Sequence, residues 1–142
     1  MATKKKKPLL IPIRIDQSHS DMIDLIDNQN IFSSRNQIVI FASTIGFKYD
    51  MFAETKKLGH EGRRDQIDVD EALSKANFMA LAKTEDKTIL DDDDACYKIL
   101  CGYANGGFEK LREWHDETST EEGFLKHIIN AMYQEAVENL PR

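Results

Sequence analysis

The chain has 142 residues, the usual size of one domain, so we expect a single core. Apolar residues make up 41% and charged residues 31%, which excludes the low-hydrophobicity composition of disordered chains. The net charge is −6, and because Lys4 to Lys7 supply four positive charges, residues 8–142 stand at −10. This excludes a protein that coats nucleic acid with a broad positive surface. Any DNA contact would need a local patch or the N-terminal arm.

The cysteines and the apolar runs indicate a cytoplasmic protein. Cys96 and Cys101 lie five positions apart in a predicted helix, where their side chains point in different directions and cannot form a disulfide. Two free thiols suit a reducing compartment. The apolar start Leu9–Ile11 is cut short by Pro12, so it makes no secretory signal. The longest apolar run, Ile38–Ala42, is far shorter than the roughly 18 residues of a membrane span.

The N-terminal segment divides into two parts. Residues 1–8 repel one another through Lys4–Lys7 and bury nothing, so we predict a flexible basic arm ahead of a single helical domain, residues 9–142. From Leu9 to Ile15 the apolar side chains alternate, which indicates a short strand. Pro12 cannot donate a ladder hydrogen bond and therefore places this strand at an edge.

Two helices are predicted next. Ser18 or Ser20 can cap a short helix, which directs three apolar side chains to the core: Met22, Ile23 and Ile26. Ser33 and Ser34 offer a cap to a second helix. Its apolar face consists of Ile38, Phe41, Ala42 and Ile45. Gly46 is expected to end this helix in a left-handed conformation.

A basic loop and a third helix follow. Residues 48–66 hold five positive charges and two glycines, which indicates a further helical turn or two and then an exposed loop. Ile67 and Val69 flank Asp68 in a short extended piece suited to pair with the first strand. Helical spacing returns from Asp70, with five apolar residues: Ala72, Leu73, Phe78, Leu81 and Ala82.

The last third of the chain is predicted to be helical. Asp91–Asp94 begin a longer helix, because acidic side chains favour the positive end of the helix dipole. Asn105–Gly107 is expected to interrupt the chain before another helical stripe from Phe108. Ser119–Glu122 has the spacing of a capping box ahead of a final helix. Its apolar face is Leu125, Ile128, Ile129, Met132 and Ala136. The predicted fold class is mostly α: a compact helical domain with one or two short edge strands near the N-terminus.

No catalytic chemistry can be identified in this sequence. The four histidines are scattered without ligand spacing, which argues against zinc. Cys96 follows four aspartates that would raise the pKa of its thiol, which argues against a nucleophilic cysteine. Asp91–Asp94 leave one enzymatic alternative open, a metal-dependent enzyme. Consecutive helical positions point about 100° apart, however, so at most two carboxylates meet at one ion. We predict no catalytic residue, no cofactor and no metal.

The positive charges favour a DNA contact. The candidate residues lie in the arm, in the strand and in the loop: Lys4, Lys5, Lys6, Lys7, Arg14, Lys56, Lys57, Arg63 and Arg64. Arm and loop together would hold phosphates from two sides with strong salt dependence, whereas the alternative is a solvated loop and a solubilising tail.

A regulator of the ribbon-helix-helix class is a second alternative. Residues 9–47 run strand, helix, helix, the order in which two chains of that class pair their strands in the major groove. Arg14 would then face the bases. Pro12, Asp16 and the long remainder of the chain speak against this alternative.

Two segments carry a resemblance to a known family. They are IFSSRNQIVIFASTIGFK (Ile31–Lys48) and CYKILCGYANGGFEKLREW (Cys96–Trp114). The first contains the pattern F-A-x-x-x-G-[FY], here Phe41 to Phe47, and the second contains Y-A-N-G-G, here Tyr103–Gly107. Both resemble the Dnd system-associated proteins, accessory proteins encoded beside DNA phosphorothioation genes. The resemblance implies a role in modification-dependent defence against foreign DNA and supplies no catalytic motif.

These observations predict a non-enzymatic accessory protein of a bacterial DNA phosphorothioation or defence system, which binds DNA, a partner protein or both. The acidic helical body is expected to engage a protein. Tyr103 and Asn105, if exposed beside the basic loop, are the first candidates for a partner surface. The identity of the DNA or protein partner and the oligomeric state stay open.

Overall fold

The fold was analysed in a computed structural model that describes residues 10–12, 15–57 and 66–138. The described part contains five α-helices, two three-residue strands and two 3-10 turns. In chain order these are β1 (Leu10–Pro12), a 3-10 turn (Gln17–His19), α1 (Ser20–Asp27), α2 (Arg35–Lys48), β2 (Gln66–Asp68), α3 (Val69–Thr84), a second 3-10 turn (Lys87–Asp91), α4 (Asp93–Glu117) and α5 (Glu121–Glu138). The mostly helical fold class is confirmed.

The first two helices follow the local signals in the sequence. Three apolar side chains of α1 are buried as predicted, Met22, Ile23 and Ile26. The hydroxyl of Ser34 accepts a hydrogen bond from the N–H of Gln37 and caps α2. Arg35 then joins the two helices, since its guanidinium lies 2.7 Å from Asp24 and 3.6 Å from Asp27.

Helix α4 is the centre of the fold. Every residue from Leu100 to Phe108 is buried, so this stretch is covered on all sides. The predicted interruption at Asn105–Gly107 is wrong, because α4 runs through it without a break. A Cβ on Gly107 would overlap with the carbonyl of Ala42 in α2. Gly107 therefore serves the close approach of a neighbouring helix, and Gly106 that of Met51, rather than a turn.

Gly46 makes the matching contact from α2. The prediction that it ends the helix in a left-handed conformation is wrong, because α2 continues to Lys48 and no described glycine has a positive φ. A Cβ on Gly46 would overlap with the carbonyl oxygen of Tyr103. The left-handed residue comes later, at Asp50 with φ of 54°. Helices α2 and α4 thus meet backbone to backbone.

Helices α3 and α5 cover the remaining sides of α4. Among the side chains of α3 that the structure describes, Ala76, Met79 and Ala80 are buried and Phe78 is 64% exposed, so the buried face there differs from the predicted apolar stripe, whose Ala72 and Leu73 have side chains outside the described part. In α5 Phe124 and Ile128 are buried, but Ile129 of the predicted apolar face is 46% exposed. The hydroxyl of Thr120 accepts a hydrogen bond from the N–H of Gly123 at 3.0 Å and caps α5.

The two short strands pair with each other. Strands β1 and β2 run antiparallel, with Ile11 opposite Ile67 and Pro12 opposite Gln66. The ribbon-helix-helix hypothesis requires β1 to pair with the same strand of a second chain. In the structure β1 pairs with β2 of its own chain, so this edge of β1 is not available to a second chain.

None of the helices in the described residues combines the length and the apolar character that crossing a bilayer requires.

Candidate functional site

The start of the basic loop lies on the surface of α4. After Asp50 turns the chain, the N–H of Met51 donates to the carbonyl of Gly46 at 2.8 Å, and that of Ala53 to Gly102 at 3.0 Å. A Cβ on Gly102 would overlap with the ring of Phe52. Because Gly102 has no side chain, Phe52 can lie directly against α4. We call residues 51–57, which follow this surface, the anchor segment.

One buried amide fixes the anchor segment in place. The Oδ1 of Asn105 accepts a hydrogen bond from the N–H of Asp16 at 3.0 Å. Its Nδ2 donates to the carbonyl of Ala53 at 2.8 Å and to the Oγ1 of Thr55 at 2.9 Å. Asn105 is fully buried, so these bonds form away from competing water. Asn105 thus joins α4, the anchor segment and the chain ahead of α1.

Asp16 holds the next two residues. Its carboxylate accepts hydrogen bonds from the backbone N–H of Lys56 at 2.8 Å and of Lys57 at 3.3 Å. It also accepts bonds from the N–H and the hydroxyl of Ser18. Desolvation raises the pKa of this carboxyl, but the hydrogen bonds together outweigh it and leave the pKa well below its usual range. The backbone of Lys56 and Lys57 is therefore held by a permanent negative charge.

The side chains of the two held lysines point to solvent. Lys56 and Lys57 are both exposed. The carboxylate of Asp16 accepts hydrogen bonds from their backbone N–H groups and not from their side chains. Among the described residues no ion pair neutralises the ammonium group of either lysine. The arrangement presents two adjacent cations on a fixed backbone, which is suited to an anionic partner.

A cleft of about 450 Å³ opens beside the anchor segment. Lys56 and Lys98 lie on its walls, and Phe52 and Ile99 contribute apolar surface. The Nζ of Lys83 lies 3.9 Å from the centre of the Phe52 ring. Lysines from three separate elements thus lie around Phe52 and form a lysine patch, in which Asp94 pairs with Lys98 and Glu54 lines the same cleft.

Most of the predicted DNA-contacting residues fall outside the described part of the chain. Lys56 and Lys57 are the two that the structure places, and it places them together. The remaining seven lie outside the described residues: Lys4, Lys5, Lys6, Lys7, Arg14, Arg63 and Arg64.

The predicted partner residues Tyr103 and Asn105 do not meet the condition of exposure. Tyr103 is 5% exposed and packs edge-on against Phe47 and Phe52, with ring centres 5.3 Å and 5.1 Å away. Burial raises the pKa of its hydroxyl. The two residues hold the site together from inside, because the middle of α4 is enclosed on all sides.

The acidic run Asp91–Asp94 begins α4. The carboxylate of Asp92 accepts a hydrogen bond from the N–H of Ala95 at 3.0 Å and caps the helix, and Asp94 pairs with Lys98 at 3.5 Å. Burial, and then the charges of Asp93 and Asp92, raise the pKa of the Cys96 thiol. The described residues contain no group of three or more His, Cys, Asp or Glu placed to hold a metal. A metal-dependent enzyme thus finds no support at this run.

A second cleft was missed by the sequence analysis. It lies between the end of α2 and α5, has a volume of about 490 Å³, and is lined by Tyr49, Trp114 and His127 among others. Its residues come from separate helices, so no run of charge or motif announces it. The one signal in the sequence is the spacing of His127, Asn130 and Gln134, which forms a polar stripe on one face of α5.

Two comparisons place the chain among known proteins. It is similar to BAG family molecular chaperone regulator 1 of Caenorhabditis briggsae, with 31% identity over 121 residues that cover 78% of this chain and 54% of that protein. The chain therefore spans about half the length of this curated relative. No solved structure matches the chain.

The family model for DNA sulphur modification system-associated protein 4 matches residues 12–140, nearly the whole chain and both of the segments that carry the Dnd resemblance. The chain belongs to this family of proteins associated with DNA sulphur modification systems.

Proposed function

We propose that this chain is a non-enzymatic accessory protein that binds DNA through a basic surface centred on Lys56 and Lys57. The observation that carries the proposal is the fixation of these two residues. Asp16 and Asn105 hold the backbone around them through hydrogen bonds of 2.8–3.3 Å, while both side chains stay exposed. A backbone fixed in advance loses less freedom when a ligand binds, so this arrangement is suited to phosphate contact.

The charge balance of the chain supports a small contact of this kind. With residues 8–142 at −10, the protein repels DNA over most of its surface. Lys83, whose Nζ lies 3.9 Å from the centre of the Phe52 ring, adds a positive charge to the lysine patch, whereas Lys98 is paired with Asp94. We assign the seven remaining candidates, Lys4, Lys5, Lys6, Lys7, Arg14, Arg63 and Arg64, to the same surface on their charge and their place in the sequence.

The proposal is tested by fluorescence anisotropy with a plain duplex and a phosphorothioate-containing duplex. We expect binding to both at low salt, weakened in a Lys56→Gln, Lys57→Gln double variant and in a variant that lacks residues 1–8. A Lys87→Gln, Lys126→Gln double variant has the same net charge as the first and serves as the matched control, because both of its lysines are exposed and lie outside the patch.

The outcomes separate the parts of the proposal. A preference for the sulphur-bearing duplex ties the protein to the modification itself, and equal affinities assign it to DNA in general. An equal loss in both double variants contradicts the assignment to Lys56 and Lys57. Absence of binding at low salt overturns DNA binding altogether and leaves the protein as a partner-binding subunit.

The same proposal includes a protein contact on the acidic side of the molecule. A shallow cleft beside α1 and the start of α5 is lined by three acids, Asp21, Asp24 and Glu121, and by the half-buried Leu25. Arg112 pairs with Asp21 and Arg35 with Asp24, so Glu121 is the acid of this cleft that no described ion pair neutralises. A basic protein segment suits this position, since complementary charge favours association and orientation. Co-purification with other proteins of the modification system, compared between the chain and a Glu121→Gln variant, tests this contact. Equal recovery by both forms contradicts it.

A further inference from the structure

The cleft between α2 and α5 combines rings in an ordered arrangement. The indole of Trp114 and the imidazole of His127 stack with their centres 4.2 Å apart and 13° between their planes. Tyr49 meets Trp114 edge-on at 6.0 Å, and the Nζ of Lys110 lies 4.8 Å from the centre of the Tyr49 ring. Tyr49 is 44% exposed although it is held from two sides. A planar ligand therefore finds an aromatic surface whose position is already fixed.

Polar groups also line this cleft. Asn130 and Gln134 are one helical turn apart on α5, both exposed and both lining the cleft. Their amides can donate to and accept from the edge of a heterocycle. Lys48 lines the cleft at the end of α2 and adds a positive charge.

The charge of this cleft differs from that of the rest of the molecule. Among the described residues that line it there is no Asp or Glu. The cleft beside the anchor segment includes Glu54, and the cleft beside α1 includes three acids. A cleft with stacked rings, exposed amides and a lysine among its described lining residues favours a ligand that is planar, hydrogen-bonding and anionic.

We propose that this cleft binds a nucleotide, with its base against Tyr49 and His127, the edge of the base at Asn130 and Gln134, and its phosphate at Lys48. Stacking on aromatic side chains is the usual source of affinity for unpaired bases and tolerates every base. The base comes either from a free nucleotide or from an unpaired stretch of DNA. This site shares no residue with the Lys56–Lys57 surface and does not depend on duplex binding there.

Trp114 provides the measurement, because it is the one tryptophan of the chain and forms part of the cleft. We expect its fluorescence to change in a saturable manner when a short single strand of thymidine or a mononucleotide is added. A response to both assigns the cleft to nucleotides in general. A response to the strand alone assigns it to unpaired DNA. Absence of a response to both overturns the proposal.

Two exposed tyrosines supply the matched variants. Tyr49→Leu removes the stacking surface, and we expect it to weaken binding by at least about fivefold. Tyr133→Leu changes a tyrosine that is 65% exposed and does not line the cleft, so we expect wild-type affinity. Gln134→Ala tests the amide with a residue that favours helix, which keeps the fold intact. Wild-type affinity in both Tyr49→Leu and Gln134→Ala contradicts the proposal.

A further comparison separates this site from the duplex surface. The Lys56→Gln, Lys57→Gln variant should lose duplex binding and keep the Trp114 response. The Tyr49→Leu variant should keep duplex binding and lose the Trp114 response. Loss of the Trp114 response in the lysine variant assigns the nucleotide to the other cleft and overturns the proposal.

Discussion

The side chain of Asn105 decides where the anchor segment lies. It satisfies one donor ahead of α1 and two acceptors in the anchor segment, and no other described side chain spans these three places. Asn105→Ala leaves the N–H of Asp16 and the carbonyl of Ala53 without this partner. We expect the free energy of unfolding to fall by about 1–3 kcal/mol. Urea denaturation measures the loss, with Asn28→Ala as a control at an exposed amide. Equal stability of the two variants would show that the bonds to Asn105 do not hold the fold.

We expect the buried His19 to make stability depend on pH. It is 6% exposed, stacks on Phe108 with ring centres 5.5 Å apart, and its Nδ1 finds no partner among the described residues. Desolvation lowers the pKa of the imidazole. The charges of Asp16, Glu109 and Asp21 raise it and that of Arg112 lowers it, so that the net shift is downward from 6.5.

The direction of this shift fixes the sign of the pH dependence. Near pH 6 the unfolded chain binds a proton at His19 that the folded chain does not, so the stability that is complete above pH 6.5 declines as the pH falls. The slope from one such group is at most about 1.4 kcal/mol per pH unit. His19→Gln should flatten the decline between pH 7.5 and 5.5 in denaturation experiments. A decline of the same slope in His19→Gln would assign the pH dependence to other groups.

At the scale of elements, α2 and α4 form the most extensive helix pair of the described residues. Gly107 faces the carbonyl of Ala42 with no room for a methyl group. Gly107→Ala therefore forces the two helices apart, and we expect a loss of about 1–3 kcal/mol, as for other overpacked sites. At Gly123 the nearest atom to an added Cβ is the Thr120 hydroxyl oxygen at 3.2 Å, so Gly123→Ala should be neutral or stabilise α5 by up to about 1 kcal/mol. Thermal unfolding of the two variants compares them directly, and equal melting temperatures would contradict the close contact.

The same contact explains which helices could be predicted from the sequence. Ser34 and the aspartates before Ala95 announce helix starts, because a cap bonds to an N–H only two or three residues away. Gly46 and Gly107 carry no such local cause. The residues that these two glycines contact lie about sixty positions away in the chain. A glycine, which often ends a helix, therefore lies here inside one.

The candidate sites, too, could be predicted only in part from the sequence. A run of charge in the sequence identifies Lys56 and Lys57, but not the hydrogen bonds from Asp16 that hold them. The nucleotide cleft depends on the contact between Trp114 in α4 and His127 in α5. The sequence does not indicate this contact, because it forms only when the two helices pack together. Composition thus predicts where cations are, and only the packing shows which of them share a site with aromatic and amide groups.

At the scale of the whole molecule, the acidic body limits how DNA can bind. A net charge of −10 in residues 8–142 opposes the phosphates, so affinity has to come from a few lysines and should depend steeply on salt. The logarithm of the affinity for duplex DNA falls against the logarithm of the salt concentration with a slope of about −0.9 for each phosphate contacted. The slope therefore counts the lysines that reach phosphate.

This count separates a direct role of the lysines from a structural one. Lys56→Gln, Lys57→Gln should make the slope shallower by about 2, and removal of residues 1–8 by up to about 4, because each lysine that reaches a phosphate releases roughly one counterion. The Lys87→Gln, Lys126→Gln control should keep the wild-type slope, since a uniform change of net charge does not alter the number of contacts. If affinity falls in the Lys56 and Lys57 variant while the slope is unchanged, these lysines support the shape of the anchor segment instead of touching DNA.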